Sequence, residues 1–146
     1  MSICKLADSR EIFYRESGTG PVLVLLHGWS MSSAVFLEVL PQLAKSHRVL
    51  AVDLPGHGAS ELDDIDYSLD TLAGNVEAWL QQLGLNRCAL LGWSLGGQVA
   101  LQMHLRRRVG KIAFQQGVSD DPGQRLIGMQ RFRAPAKNNG VPCFQA

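Results

Sequence analysis

Cysteine, net charge and long apolar runs are all in short supply in this chain, and each shortage excludes a class of function. The three cysteines, Cys4, Cys88 and Cys143, stand at unrelated spacings and outline neither a disulfide framework nor a metal-binding pattern. Cys88 opens an apolar stretch and is expected in the core. A net charge of +1 gives no field to attract nucleic acid or an anionic membrane. The one dense basic run, Arg106-Arg107-Arg108, falls at the end of an expected helix, where it complements the helix dipole. No apolar stretch reaches the roughly 20 residues of a membrane span. The first residues carry no basic segment followed by a long apolar one, so the expected setting is a reduced cytoplasm. Histidine is scarce as well: of the four, none follows His104.

What the chain does have is an alternation of short apolar runs with amphipathic ones. At 146 residues and 46% hydrophobic composition it suits one domain with a sizeable core. Residues 2–6 and 11–15, separated by the polar Ala7-Asp8-Ser9-Arg10, read as a β-hairpin. The run 21–27, "PVLVLLH", is strand-like, and 33–45 places Val35, Phe36, Val39, Leu40 and Leu43 at helical spacing. A second buried strand, 48–53, leads into the glycine-rich "LPGHGASELDD". Residues 70–83 are amphipathic, with Leu72, Val76, Trp79, Leu80 and Leu83 on one face. A third apolar strand at 88–93 is followed by a helix at 95–106. Such alternation implies βαβ units and a mostly parallel sheet with flanking helices. The loops "HGWS", "DLPGHGAS" and "GWSLGG" then converge on the carboxyl edge of that sheet, where ligands bind in folds of this class.

The chemistry centres on "LGWSLGG", residues 91–97. A Gly-x-Ser-x-Gly pentapeptide at a strand-to-helix junction holds the serine on a tight turn with its hydroxyl raised above the sheet. Gly92 and Gly96 lack a Cβ where one would strike neighbouring backbone. The Leu95 amide opens the helix and faces a developing oxyanion. The alternative reading is a glycine-rich helix start with Ser94 as its N-cap.

"LVLLHGWSMSSAVF", "VLAVDLPGHGAS" and "LLGWSLGGQVALQ" together resemble the α/β-hydrolase fold and, within it, the pimeloyl-acyl carrier protein methyl ester esterases of biotin synthesis. The resemblance runs from about residue 12 to residue 110. It implies a serine carboxylesterase in which Ser94 attacks an ester carbonyl and water releases the acyl-enzyme. The amides of Trp29 and Leu95 would form the oxyanion hole, and Trp29, Ser94 and Leu95 would contact substrate. Related dehalogenases carry aspartate at the nucleophile position, so Ser94 speaks against them. No cofactor and no metal are implied, and the partner would be an acyl ester, small or carried on acyl carrier protein. By the same resemblance His27 is structural, holding the oxyanion loop by hydrogen bonds. His57 lies at the same sheet edge and reads as a loop residue; the alternative for either ring is a substitute base. His47 precedes its strand, at the opposite end of the sheet. His104 lies roughly 15 Å along the helix from Ser94, out of reach.

The pattern departs from the family beyond the third helix. "RVGKIA" starts like the next strand, but 114–134 lacks a strand pattern and resembles a piece of the family's helical cap. The expected organisation is therefore 1–113 as the N-terminal part of the hydrolase core, 114–134 as a cap remnant and 135–146 as a disordered tail. On this reading the fold is incomplete in its C-terminal half and lacks the triad acid and histidine. "SDDPGQR" reads as a helix start, with Ser119 or an aspartate as cap and Pro122 in the first turn; the alternative is that Asp120 or Asp121, which follow Ser94 in chain order, is a triad acid. By resemblance Phe132, Arg133, Ala134 and Pro135 line the acyl channel, and Arg125 and Arg131 meet a carrier protein. The reading of another class is a non-catalytic remnant that binds acyl chains or carrier protein, or has no function.

Overall fold

The computed structural model describes residues 2–60 and 66–106, together with the backbone of 111–115. Six strands form one sheet among these residues: β1 (Ser2–Lys5), β2 (Glu11–Ser17), β3 (Val22–Leu26), β4 (Arg48–Val52), β5 (Ala89–Trp93) and β6 (Lys111–Gln115). Their order is β1-β2-β4-β3-β5-β6. β1 pairs antiparallel with β2, and β2 with β4; the pairs β4–β3, β3–β5 and β5–β6 are parallel. The hairpin expected at the start of the chain is thus the antiparallel margin of a mainly parallel sheet.

Alternation along the central strands sends successive side chains to opposite faces. On one face Val24, Leu26, Leu50, Val52 and Leu90 are covered by α2 (Leu69–Gln82) and α3 (Leu95–Leu105), with Leu72, Val76, Trp79, Val99 and Met103 between the layers. On the other, Leu23, Leu25, Val49 and Ala51 pack against Phe36 and Leu40. Trp79 is fully buried and meets the ring of Tyr14 edge-on, centroids 5.4 Å apart. Burying a side chain of that size contributes about 1.5–3 kcal/mol. Ser68 caps α2, its hydroxyl accepting from the Thr71 amide at 3.2 Å.

Two elements differ from the sequence reading. The helix expected over 33–45 is a 3₁₀ turn at Ser33–Phe36 and a short α1 at Leu40–Leu43. Pro41 is the cause: its ring would strike the carbonyl four residues earlier in a continuous helix, and it has no N–H to donate, so it is accommodated in the first turn of α1. The last strand, β6, runs through Gln115, two residues past the point where the sequence loses strand character. Phe114 and Gln115 sit in parallel register with Gly92 and Trp93, so the backbone ladder extends the strand. Among the described residues no helix is long and apolar enough to cross a membrane.

Candidate active site

The chain leaves β3 towards one face of the sheet and leaves β5 towards the other, because the turn after β3 packs with Leu23 and Leu25 while α3 packs with Leu26 and Leu90. A crevice opens between two such strands at their carboxyl ends. Ser94 and Gly28 face one another there.

Ser94 is the single residue between β5 and α3. Its φ of 52° and ψ of −116° are unusual for a residue with a side chain and store about 1–3 kcal/mol of strain. Its carbonyl accepts from Gly97 and Gln98, starting the helix, yet its side chain makes no capping bond and the residue is exposed. The N-cap reading therefore fails in its essential point, since the hydroxyl is not spent on the backbone. The flanking glycines explain how the turn closes. A Cβ on Gly92 would land on the Gly96 carbonyl and the Gly97 amide, and one on Gly96 would land on the Leu26 carbonyl.

The loop after β3 comes alongside at Gly28, where a Cβ would lie 3.4 Å from Ser94 Cβ and 3.6 Å from the Trp93 carbonyl. His27 orients this loop from beneath. Its Nε2 accepts the Leu54 amide at 2.9 Å, so Nδ1 carries the ring proton and donates to the Gly28 carbonyl at 2.7 Å. The ring is fully buried, and burial pushes its pKa below the ordinary value. With that carbonyl drawn to the imidazole, the planar trans peptide turns the Trp29 N–H the opposite way. Ser30, at φ 58°, and a Met31 amide to Gly28 carbonyl bond of 3.3 Å complete the turn.

Asp53 holds the far end of the same loop, and the sequence reading missed it. One carboxylate oxygen accepts the Ser33 amide at 2.5 Å and the other the Ala59 amide at 2.9 Å. The Asp53 backbone carbonyl accepts the Ser60 hydroxyl at 2.6 Å, and that hydroxyl in turn accepts the Phe13 amide at 3.0 Å. An acidic residue closing an otherwise apolar strand was the available signal. Tyr67 was missed too, and nothing in its local sequence announces that it reaches the edge.

The other histidines make contacts of their own. His57 engages the Pro55 carbonyl through Nδ1 at 3.0 Å and lies against Trp29. His47 pairs with the Ser46 hydroxyl just before β4, at the opposite end of the sheet. His104 is in the last turn of α3. Burial pushes the Cys88 thiol up to about 12, which disqualifies it as a rival nucleophile. Among the described residues no group of three His, Cys, Asp or Glu side chains is placed to hold a metal ion. Asp120, Asp121, Arg125, Arg131, Phe132, Arg133, Ala134 and Pro135 lie outside the described residues.

Comparison with known proteins gives a consistent picture. The profile of the alpha/beta hydrolase fold matches residues 21–138. The pimeloyl-[acyl-carrier protein] methyl ester esterase of Aeromonas hydrophila subsp. hydrophila is 53% identical over 89 residues, covering 60% of this chain and 34% of that protein. The chain spans about a third of the length of the first curated relatives it matches. Among solved structures, an esterase from Rhodococcus sp. ECU1013 superposes with a TM-score of 0.67 at 40% identity, covering 77% of this chain and 44% of the other. A hydrolase from Pseudomonas aeruginosa PA01 gives 0.71 at 29% identity, covering 85% and 49%.

Proposed function

Because the chain belongs to the alpha/beta hydrolase fold family, we propose that Ser94 is the nucleophile of a carboxylic ester hydrolase. Its Oγ attacks the ester carbonyl, the alcohol leaves, and water releases the acyl-enzyme. The amides of Trp29 and Leu95 receive the oxyanion, and the Trp29 side chain borders the acyl group. The observation that carries this reading is Ser94 itself: a strained, exposed serine whose hydroxyl caps nothing, set beside the Gly28 turn. Strain at a side-chain-bearing residue persists only where the surroundings enforce it, and here two glycines and a helix start do so.

The names of the relatives support, as the substrate, a methyl ester of a medium-length acyl group carried on acyl carrier protein. Arg125 and Arg131 would then meet the acidic carrier, and Phe132, Arg133, Ala134 and Pro135 would line the acyl path. The compartment that fits such a reaction is the cytoplasm.

Among the described residues, which include all four histidines, no hydrogen bond from a histidine ring reaches the Ser94 hydroxyl. Both ring nitrogens of His27 are committed to backbone groups, whereas in His57 the bond to Pro55 occupies Nδ1 alone. Loss of the histidine in serine hydrolases lowers turnover by on the order of 10⁶, and about 10³–10⁴ over water survives from the oxyanion hole and binding. We therefore read this chain as an esterase by descent whose own hydrolysis is impaired. The second reading, a module that binds acyl chains or carrier protein without turnover, or a chain with no function, is favoured by the commitment of both His27 nitrogens to the backbone.

The deciding experiment compares hydrolysis of a short-chain aryl ester by this chain and by Ser94→Ala. Equal rates are expected. A Ser94-dependent rate within about a hundredfold of an intact relative would overturn the impaired reading, and His57→Ala and His27→Ala would then identify the substitute base. Retention of an acyl ester without turnover, measured by tryptophan fluorescence, separates the binding module from an inert chain.

A further inference from the structure

Three aromatic side chains from three separate segments meet at the carboxyl edge of the sheet, one of them that of Trp29, next to the Gly28 that faces Ser94, and the proposed chemistry uses only that one. The His57 ring stands 5.2 Å from Trp29, 5.9 Å from Tyr67 and 5.4 Å from His27, centroid to centroid. Trp29 and Tyr67 are 5.2 Å apart. The interplanar angles of His57 with Trp29 and Tyr67 are 81° and 84°, and that of Trp29 with Tyr67 is 73°, the edge-to-face arrangement in which ring edges meet ring faces favourably.

Burial ranks the three. His57 is 7% exposed, Tyr67 39% and Trp29 57%. His57 is also the ring with the most fixed backbone. Its amide donates to the Leu54 carbonyl at 2.9 Å and its carbonyl accepts the Ser60 amide at 3.1 Å. Nδ1 meets the Pro55 carbonyl, which only accepts, so Nδ1 carries a proton and the ring cannot rotate without losing that bond. The Trp29 backbone is held by the His27 bond to Gly28, but its large side chain stands mostly in solvent. Contact with a fixed ring is what orders such a side chain.

We propose that His57 is a positioning residue of the Ser94 site: through its ring contacts with Trp29 and Tyr67 it holds the Trp29 indole as a wall beside Ser94, and so sets the width of the acyl group admitted. The width claim rests on the reading of Ser94 as an ester site; the positioning of the indole does not. The contact that matters is the ring, not the hydrogen bond to Pro55. Phenylalanine should therefore replace His57 where glutamine, which keeps a polar side chain but no ring, should not.

The test uses the chain labelled with 5-fluorotryptophan, whose three indoles give separate ¹⁹F signals. Trp29→Phe assigns the Trp29 signal, and the signal of the core residue Trp79 reports the fold in the same spectrum. In His57→Ala and His57→Gln the Trp29 signal should shift and sharpen towards that of a free indole while the Trp79 signal stays in place. His57→Phe should restore it. Titration with methyl heptanoate and its branched isomer methyl 2-methylhexanoate reads the width. A preference for the linear ester of roughly tenfold, the lower end of what an apolar pocket gives for a small misfit, should fall to about twofold in His57→Ala and return in His57→Phe. An unchanged Trp29 signal in His57→Ala overturns the proposal, as does rescue by glutamine rather than phenylalanine. If His57→Ala also moves the Trp79 signal, the contrast between phenylalanine and glutamine decides. If the unaltered chain binds neither ester, the ester reading of Ser94 fails and the width claim with it, while the Trp29 signal still decides whether His57 positions the indole.

Discussion

The Leu54 amide donates to His27 Nε2 at 2.9 Å, and that bond joins the loop after β3 to the loop after β4. The same ring, through Nδ1, draws in the Gly28 carbonyl. At the far end of the β3 loop Asp53 accepts the Ser33 amide, and in the middle His57 lies against Trp29. Residues 28–32 are therefore held at both ends and at their largest side chain by residues 53–57. The loop that supplies the proposed oxyanion amide has little freedom of its own.

The neutral state of His27 makes stability depend on pH. Burial lowers its folded pKa below the ordinary 6.5, so between the two values the unfolded chain binds a proton that the folded chain refuses. The stabilisation is complete above about 6.5 and is lost as pH falls from there to the folded value. The melting temperature should drop between pH 7.5 and 5. In His27→Asn, destabilised at pH 7.5 by about 1–3 kcal/mol because the buried Leu54 amide loses its acceptor, that drop should flatten. Equal slopes for both proteins in thermal melts would refute the assignment.

Backbone strain at Ser94 predicts a split between two small substitutions. Alanine keeps a Cβ at φ 52° and gains nothing, whereas glycine adopts this region freely. Ser94→Gly should be more stable than Ser94→Ala by about 1 kcal/mol despite glycine's greater chain entropy. Denaturant unfolding of the pair measures it, and a more stable alanine variant would show that the turn is relaxed.

The glycines around the serine should differ sharply in tolerance. Gly92→Ala and Gly96→Ala drive a methyl group into fixed backbone, which costs about 3 kcal/mol or more, so both should yield insoluble protein. Gly28→Ala meets Sδ of the unbranched Met31 side chain at 3.3 Å and Ser94 Cβ at 3.4 Å. It should fold with a loss of about 1 kcal/mol or less while crowding the serine. Soluble yield and circular dichroism of the three variants compare them.

Association is expected at the outer margin of the sheet. Among the described residues β6 has a neighbour on one side only, and unpaired strand edges recruit other chains. Leu101 and Leu105, four residues apart on α3, are 48% and 67% exposed and add apolar surface. Light scattering of the purified chain should show particles larger than a monomer, growing with concentration. A monodisperse monomer with a sharp melting transition would contradict this.

The sequence by itself determined whatever depends on local pattern. Strand runs, amphipathic helices and the Gly-x-Ser-x-Gly spacing are properties of neighbours along the chain, and they located β3, β4, β5, α2, α3 and the Ser94 turn to within one or two residues. The structural role of His27 followed from resemblance and is visible in its two bonds. Where one residue overrides its surroundings, pattern misleads: Pro41 divides a stretch whose apolar spacing is helical throughout. Only the tertiary structure decided which distant residues share a place. Asp53 reaches Ser33 across 20 positions and His27 reaches Leu54 across 27. Tyr67 arrives beside Trp29 from the approach to α2. Those partnerships exist because parallel strands set side by side bring their carboxyl ends to one edge, and no periodicity along the chain encodes which loop residues then touch.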